Sequence, residues 1–383
     1  MSSEVYINQV SAFLPNESVS NDQMEHVLGM VGDLPSRVRK MILRSNDIHH
    51  RYYAIDPVTR ETTHTNTELG AKAVELLFQQ GVSPTDVTFL AAGTSIPDQI
   101  LPGHASMIHG ELSNVPPYEI VSTAGVCLAG MMAMKSAYNS IKTGEHNHAI
   151  SVASENPSAC MRSENFSNEI NHKKLENATP VIGFEKDFLR WMLSDGSGAV
   201  YLSNKPNSKG ISLKMNWIDL LSFANEMPVC MYMGGEVKDG KFVSWRYVDA
   251  DYREKHSFMS IKQDVHLLND KIGVYALKTL EKVIAKHNLK ADDIDYFLPH
   301  YSSGFFRDKL LKGLEDIGLP IPEEKWFTNL HEKGNTGAAS IYIILEEFMH
   351  KYDLKAGQKI LCYIPESGRF SYCFMLLEVV DAG

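Results

Sequence analysis

The chain repeats itself, and this limits its folding more than any other feature. The phrase Val82-Ser-Pro-Thr-Asp86-Val-Thr-Phe-Leu returns as Asn288-Leu-Lys-Ala-Asp-Asp293-Ile-Asp-Tyr-Phe-Leu-Pro-His300, an offset of 207 residues from Asp86 to Asp293. The same offset carries Cys127 onto Gly334, beside Asn335 in the glycine-rich run Lys333-Gly-Asn-Thr-Gly-Ala-Ala-Ser340. Both positions open helix-patterned segments, Leu128 to Ile141 and Ile341 to His350. Two matches at one spacing read as a duplicated unit. At 383 residues and 44% hydrophobic content there is room for two such halves, 1–205 and 206–383, each with a sizeable core.

Strand and helix patterns alternate within the halves. Val5 to Phe13, Asp86 to Gly93, Ala149 to Ala153, Gly198 to Leu202 and Phe374 to Val380 read as strands. A capped stretch from Ser20-Asn21-Asp22, then Leu34 to Arg44, Thr67 to Gln79 and Ala276 to Ala285 read as helices. This grammar predicts an α/β protein with mixed, mainly parallel sheets covered by helices. Leu193-Ser-Asp-Gly-Ser-Gly198 leads into a strand, so it reads as a tight turn and not as a phosphate loop, which would open a helix. Residues 206–265, above all Met215 to Ser260 with Met227, Met231, Met233, Trp217 and Trp245, lack a clear period. They read either as an excursion capping a pocket or as a variable surface region.

Lys and Arg total 37 against 47 Asp and Glu, a net charge of −10, which argues against a nucleic-acid or membrane-surface partner. Five cysteines without close pairing read as reduced thiols. Met1-Ser-Ser-Glu-Val-Tyr6 has neither a basic lead nor an apolar core for export, and no apolar run is long enough to span a membrane, so a cytoplasmic location is expected. No cluster shows metal-ligand spacing, so no metal is expected.

Cys127 lies where the apolar run Ile120 to Val126 gives way to a helix. Unpaired N–H groups and the positive end of the helix dipole favour a thiolate there, so a pKa below the usual ~8.5 is expected. An inert buried cysteine fits this stretch equally well. His300 ends a strand, and Asn335 opens a helix. A helix-end thiolate can take an acyl group as a thioester, and His and Asn donors can stabilise an enolate on a second substrate, a division of labour that suits carbon-carbon bond formation.

Four runs, in order, resemble the beta-ketoacyl-ACP synthase III family of thiolase-fold condensing enzymes. Thr123-Ala-Gly-Val-Cys127-Leu-Ala-Gly is similar to its nucleophile turn, Ser194-Asp-Gly-Ser-Gly-Ala-Val to its glycine-rich strand, Leu298-Pro-His300 to its histidine strand, and Gly334-Asn-Thr-Gly-Ala-Ala-Ser to its asparagine turn. The resemblance implies a thiolase-like five-layer αβαβα sandwich built from two duplicated halves, and a homodimer. It further implies an acyltransferase in which Cys127 is acylated and His300 and Asn335 hold the thioester oxygen of the second substrate. No resident cofactor is implied; substrates would arrive as phosphopantetheine thioesters of acyl carrier protein or of coenzyme A.

Departures from the family pattern sharpen these expectations. The oxyanion turn is Ile364-Pro-Glu-Ser-Gly-Arg-Phe370, where the N–H groups of Cys127 and of Ser367 or Gly368 are expected to form the hole. Glu366 and Arg369 add charges there, as an ion pair fixing the turn or as catalytic groups. The family's Trp-x-x-x-Arg signature is Lys40-Met-Ile-Leu-Arg44, and losing the aromatic face favours an acidic carrier protein over coenzyme A. Arg37, Lys40 and Arg44, with Arg307, Lys309 and Lys312, would form its docking rim. Asn335 excludes the aspartate-bearing branch that transfers acyl groups to oxygen. Pro97-Asp-Gln-Ile-Leu-Pro102 lacks the glutamate base of relatives that join two long chains, and Glu155 is the alternative base, unless it is only a hydrogen-bonded strand-end carboxylate.

The Pro-Glu-Ser-Gly-Arg-Phe-Ser turn and the long middle excursion most resemble the cyclohexanedione-forming ketosynthases of dialkylresorcinol and bacterial stilbene biosynthesis. That branch implies an α,β-unsaturated acyl group on Cys127, attack by a β-ketoacyl carrier-protein thioester, and conjugate addition to close a ring. The rival enzyme is a decarboxylative starter synthase using malonyl carrier protein. A non-catalytic partner subunit is the rival of another class, and retention of Cys127, His300 and Asn335 argues against it.

Overall fold

The structure, a computed structural model, describes residues 3–32 and 35–383. The strands of its main sheet are β1 (Tyr6–Phe13), β2 (Phe89–Thr94), β3 (Glu119–Ala124), β4 (His148–Glu155), β5 (Gly196–Ser203), β6 (Ile211–Ser222), β7 (Tyr296–Pro299), β8 (Lys359–Glu366) and β9 (Ser371–Asp381). The helices that bear on the site are α1 (Arg39–Asn46), α2 (Asn66–Gln79), α3 (His104–Glu111), α4 (Ala129–Lys142), α5 (Val265–His287), α6 (Arg307–Asp316) and α7 (Ser340–Lys351).

The sheet runs β7-β8-β9-β6-β1-β5-β4-β2-β3, and its order is mirrored about the β1–β6 seam. On one side β1, β5 and β4 are antiparallel neighbours, and β2 and β3 continue in parallel. On the other, β6, β9 and β8 are antiparallel and β7 continues in parallel, with a parallel bridge from Phe297 to Trp326 where the counterpart of β3 is due. The seam itself is narrow, pairing Tyr6 with Lys214 and Ile7 with Leu213. The repeat in the sequence is thus a repeat of strand order and direction.

Five layers follow from which faces are apolar. Helices α4 and α7 share one core with Val5, Val200, Leu213 and Met375, from strands on both sides of the seam. A helix in that middle layer needs an apolar surface nearly all round, and α4 buries Ala129, Met131, Ala133, Met134, Ala137 and Ile141. Outside, α2 and α3 cover β2 and β4 through Val74, Leu77, Ile108, Leu90 and Ile150. Helices α5 and α6 cover β7 and β8 through Leu280, Val283, Leu314, Phe297 and Leu361. The tips of α4 and α7 meet at Gly130, where an added Cβ would lie 2.3 Å from the carbonyl oxygen of Ala338. Tyr342 locks the contact by donating its hydroxyl to the carbonyl of Gly130 at 2.7 Å.

Several expected elements shift. The irregular middle region begins later than expected, because Ile211–Ser222 is β6, at the centre of the sheet; Lys214, Asn216 and Asp219 interrupt its apolar residues and hid it. The true excursion, 223–264, contains a hairpin of Gly235–Lys238 with Lys241–Ser244 and the short helix Ala250–Lys255. The helix expected over Ala276 to Ala285 is part of α5, which begins at Val265 behind an Asp264 cap. The stretch after Ser20 forms only the short helix Met24–Leu28, preceded by Val19 and Ser20 pairing with Arg51 and His50. Helix α1 starts at Arg39, leaving Arg37 ahead of it, and Leu34 lies outside the described residues. Among the described residues no helix is long and apolar enough to cross a membrane.

Candidate active site

Cys127 stands between β3 and α4, 7% exposed, at the meeting point of two cavities. The first, ≈ 320 Å³, is lined by Glu155, Asn335 and Gly337 and by an apolar wall of Met192, Tyr232 and Ile261. The second, ≈ 200 Å³, runs between α5 and the segment carrying Tyr301, Phe306 and Lys309. Cys127, Leu268, Ser302 and Ser367 line both. A group attached to this sulfur therefore has a chamber on either side.

Burial pushes the Cys127 thiol well above its ordinary pKa, and the carboxylates of Glu366 and Glu155 add to the effect. A hydrogen bond from its own backbone N–H opposes this only in part. The expected low-pKa thiolate is corrected: desolvation outweighs the helix terminus, and the resting group is a neutral thiol.

Asn335 reaches the first cavity from the second half. Its backbone donates to the carbonyl of Met192 at 3.2 Å and accepts from the N–H of Ser194 at 2.9 Å. Its Oδ1 accepts from the N–H of Gly337 at 3.0 Å, which leaves Nδ2 as the donor to the cavity. His300 ends β7 with its N–H donated to the carbonyl of Tyr363 at 2.8 Å. Burial pulls its imidazole down to about 4, so the ring is neutral near pH 7. Its Nε2 is buried without a hydrogen-bond partner within the chain. His300 itself does not line either chamber, but Tyr301 and Ser302, which follow it, do.

Glu155 ends β4 and joins Cys127 and Asn335 on the first cavity. Its Oε1 accepts from the N–H of Ser95 at 2.9 Å, the hydroxyl of Ser95 and the N–H of Ala338 at 3.1 Å. Burial nevertheless raises it to about 7. It is a hydrogen-bonded strand-end carboxylate that lines the same cavity as Cys127.

The oxyanion turn differs from expectation. Glu366 Oε1 accepts the N–H of Gly368 at 2.6 Å, while Oε2 accepts those of Ser371 at 3.2 Å and Arg369 at 3.5 Å. Gly368 is therefore engaged at rest by a carboxylate of its own turn, and is not an open donor. The expected Glu366–Arg369 ion pair is absent among the described residues, because the Arg369 guanidinium turns away and donates Nε to the carbonyl of Met227 at 3.0 Å. Ser367 lines both chambers.

The expected docking residues fall on and beside two elements that touch. Helix α1 touches the Gly304–Phe306 turn that leads into α6, and a ≈ 240 Å³ cavity between them is lined by Met41, Ile42, Phe305 and Phe306 and by Leu268, which it shares with both inner chambers. Arg37, Lys40, Arg44 and Lys312 are exposed; Lys40 and Arg44 lie on α1 and Lys312 on α6, while Arg37 lines a separate cavity with Val38 and Phe184. Arg307 is paired with Glu323, and Lys309 donates to Asn269 and lies 4.3 Å from the centre of the Phe305 ring. Two surface trios, Asp47–His49–His331 and Glu119–Glu145–His146, bring ligand atoms within 4.8 Å of one another, which sequence spacing could not show; neither lines the inner chambers.

Sequence reasoning missed Ser95, Phe188, Met192 and Gln263 as cavity residues. They come from a loop, a short helix and the end of the excursion, and the only signal was the methionine-rich stretch around Met231.

Residues 284–368 match the family described as 3-Oxoacyl-[acyl-carrier-protein (ACP)] synthase III C terminal. The beta-ketoacyl-[acyl-carrier-protein] synthase III of Clostridium perfringens is 25% identical over 349 residues, covering 91% of each chain. That of Lactococcus lactis subsp. lactis is 23% identical over 346 residues, 89% of this chain and 88% of the relative. The solved structure of AbyA1, a tetronic acid condensing enzyme, superposes with a TM-score of 0.74 at 19% identity, covering 98% of this chain and 99% of that one. OleA of Xanthomonas campestris, solved with lauric acid and lauroyl-CoA, gives 0.71 at 17% identity over 99% and 100% of the two chains. These two structures share the fold. With the duplicated sheet, the junction cysteine and the matched sequences together, the chain is similar over 91% of its length to the beta-ketoacyl-ACP synthase III condensing enzymes and, like them, is a thiolase-fold acyltransferase that forms carbon-carbon bonds.

Proposed function

We propose that the enzyme condenses an α,β-unsaturated acyl group held on Cys127 with a β-ketoacyl carrier-protein thioester, and that an intramolecular conjugate addition then closes a cyclohexanedione. Cys127 takes the acyl group as its first carrier thiol departs. The α-carbon of the β-ketoacyl thioester gives up a proton and attacks the Cys127 thioester carbon, and the cysteine leaves as a thiol. His300 Nε2 and Asn335 Nδ2 hold the enolate oxygen of the second substrate.

Glu155 is the observation that carries this reading. A malonyl group generates its carbanion by losing carbon dioxide and needs no base, and a buried carboxylate beside it would repel its own carboxylate. A β-ketoacyl group must instead be deprotonated, and a carboxylate at about 7 on the same cavity as Cys127 is matched to that task. The two chambers meeting at Cys127 supply room for two acyl chains.

The exposed basic residues of α1 and α6 would receive an acidic acyl carrier protein. The exposed edge of β3, five strands from the seam, would pair with a second copy to make the homodimer. Enzyme preloaded with an unsaturated acyl group decides between extenders. Discharge by β-ketoacyl carrier protein to a cyclic dione is expected; carbon dioxide released from malonyl carrier protein, with no cyclic product from any extender, would return the protein to the starter-synthase reading.

A further inference from the structure

Beyond the first chamber lies a third cavity that the condensation, as described, does not use. It measures ≈ 490 Å³, and Cys160, Met233, Trp245, Phe258, Met259 and Ile100 are among its walls. Its polar groups are largely satisfied: the Arg253 guanidinium lies 5.8 Å from the Trp245 ring centre, and Glu254 accepts from Asn168 Nδ2 at 3.1 Å. Among the described residues, Met233 alone lines both this cavity and the chamber at Cys127.

The backbone around Met233 is pinned. Met231 and Tyr232 pair with Gln263 and Lys262, and the N–H of Gly234 donates to the carbonyl of Phe258 at 2.9 Å. The side chain is the movable part of the partition, and an unbranched thioether with three rotatable bonds suits an adjustable stop. On the far side, Ile100 is 60% exposed and Met259 53%, an apolar rim where the outer cavity opens.

We infer that Met233 sets the length of the acyl chain that Cys127 carries. With the thioether across the partition, the chain ends in the ≈ 320 Å³ chamber; with it turned aside, the distal methylenes run on into the ≈ 490 Å³ cavity toward Ile100 and Met259. This rests on Cys127 as the acyl carrier, and the test separates the two claims.

Purified protein is given an equimolar mixture of hexanoyl, dodecanoyl and hexadecanoyl pantetheine thioesters, and the adducts are read by intact mass. Met233→Ala is expected to raise the hexadecanoyl-to-hexanoyl adduct ratio by roughly tenfold or more, the low end of what one methylene commands in an apolar pocket, and Met233→Trp to lower it. Should the Trp variant not fold, the Ala variant decides alone. An unchanged ratio in Met233→Ala, with hexanoyl adduct still forming, overturns the role of Met233 and leaves Cys127 untouched. No adduct of any length in wild type or variants overturns the acyl-carrier reading and this inference with it.

Discussion

In the proposed mechanism, Glu155 sets the pH range of the condensation. Burial raises its carboxyl to about 7, so the base form is present above that pH and lost on acidification. The condensation step, followed by rapid quench on preloaded enzyme, is expected to rise with pH through about 7. Glu155→Gln should abolish that limb and lower the rate by about 10²- to 10⁴-fold, with loading preserved. His300 bears on stability, which likewise falls on acidification. Its folded-state value, about 4, lies below the unfolded 6.5, so between these the unfolded chain binds a proton that the folded one does not. The contribution is present above pH 6.5 and lost as the pH falls toward 4; thermal melts should show a shallower acid loss in His300→Gln. Cys127, His300 and Asn335 were legible as candidates because each sits at an element boundary repeated in order. The protonation of Cys127 was not, because the chambers that desolvate it are closed by Met192 and Tyr232, far away in the chain.

Between elements, one tight contact is the meeting of the two middle helices' N-terminal ends. A side chain at Gly130 would enter the carbonyl of Ala338, so Gly130→Val should cost about 1–3 kcal/mol or more in chemical denaturation, and should perturb the Asn335 turn with it. Glu366 is the second joint. It satisfies three backbone N–H groups of the oxyanion turn, and Glu366→Ala, by orphaning them, is expected to lower stability by about 1–3 kcal/mol, with Glu366→Gln milder because it retains an acceptor. Strands buried on both faces were readable as apolar runs, as with β2, whose six residues are all buried. The central strand β6 escaped because most of its residues are polar or only partly covered, and its place depends on pairing with β9, far later in the chain, in the register Ile211 to Asp381, Ser222 to Ser371. The charges of the oxyanion turn were visible, but which partner each would choose depended on Met227 arriving from the excursion.

Over the whole molecule, a net charge of −10 coexists with exposed basic residues on α1 and α6, so attraction for an acidic carrier has to be local. Charge reversal at Lys40, Arg44 and Lys312 together is expected to lower kcat/KM with carrier-bound substrate by about tenfold and to flatten its salt dependence, while pantetheine thioesters react as before. Steady-state kinetics at several ionic strengths checks this. The duplicated plan was legible from a single offset because both halves keep the same strand order. The chambers were not, since each joins Cys127 to residues from segments far apart in the chain and has no contiguous trace in it. The most direct measurement is the intact mass of wild type, Cys127→Ala, His300→Ala and Asn335→Asp before and after a second thioester is added. We expect one acyl adduct in all but Cys127→Ala, discharged promptly only by wild type. Loss of the adduct in the His300 and Asn335 variants, or an adduct on Cys127→Ala equal to wild type, would contradict a cysteine that carries one chain while the other half of the fold activates the second.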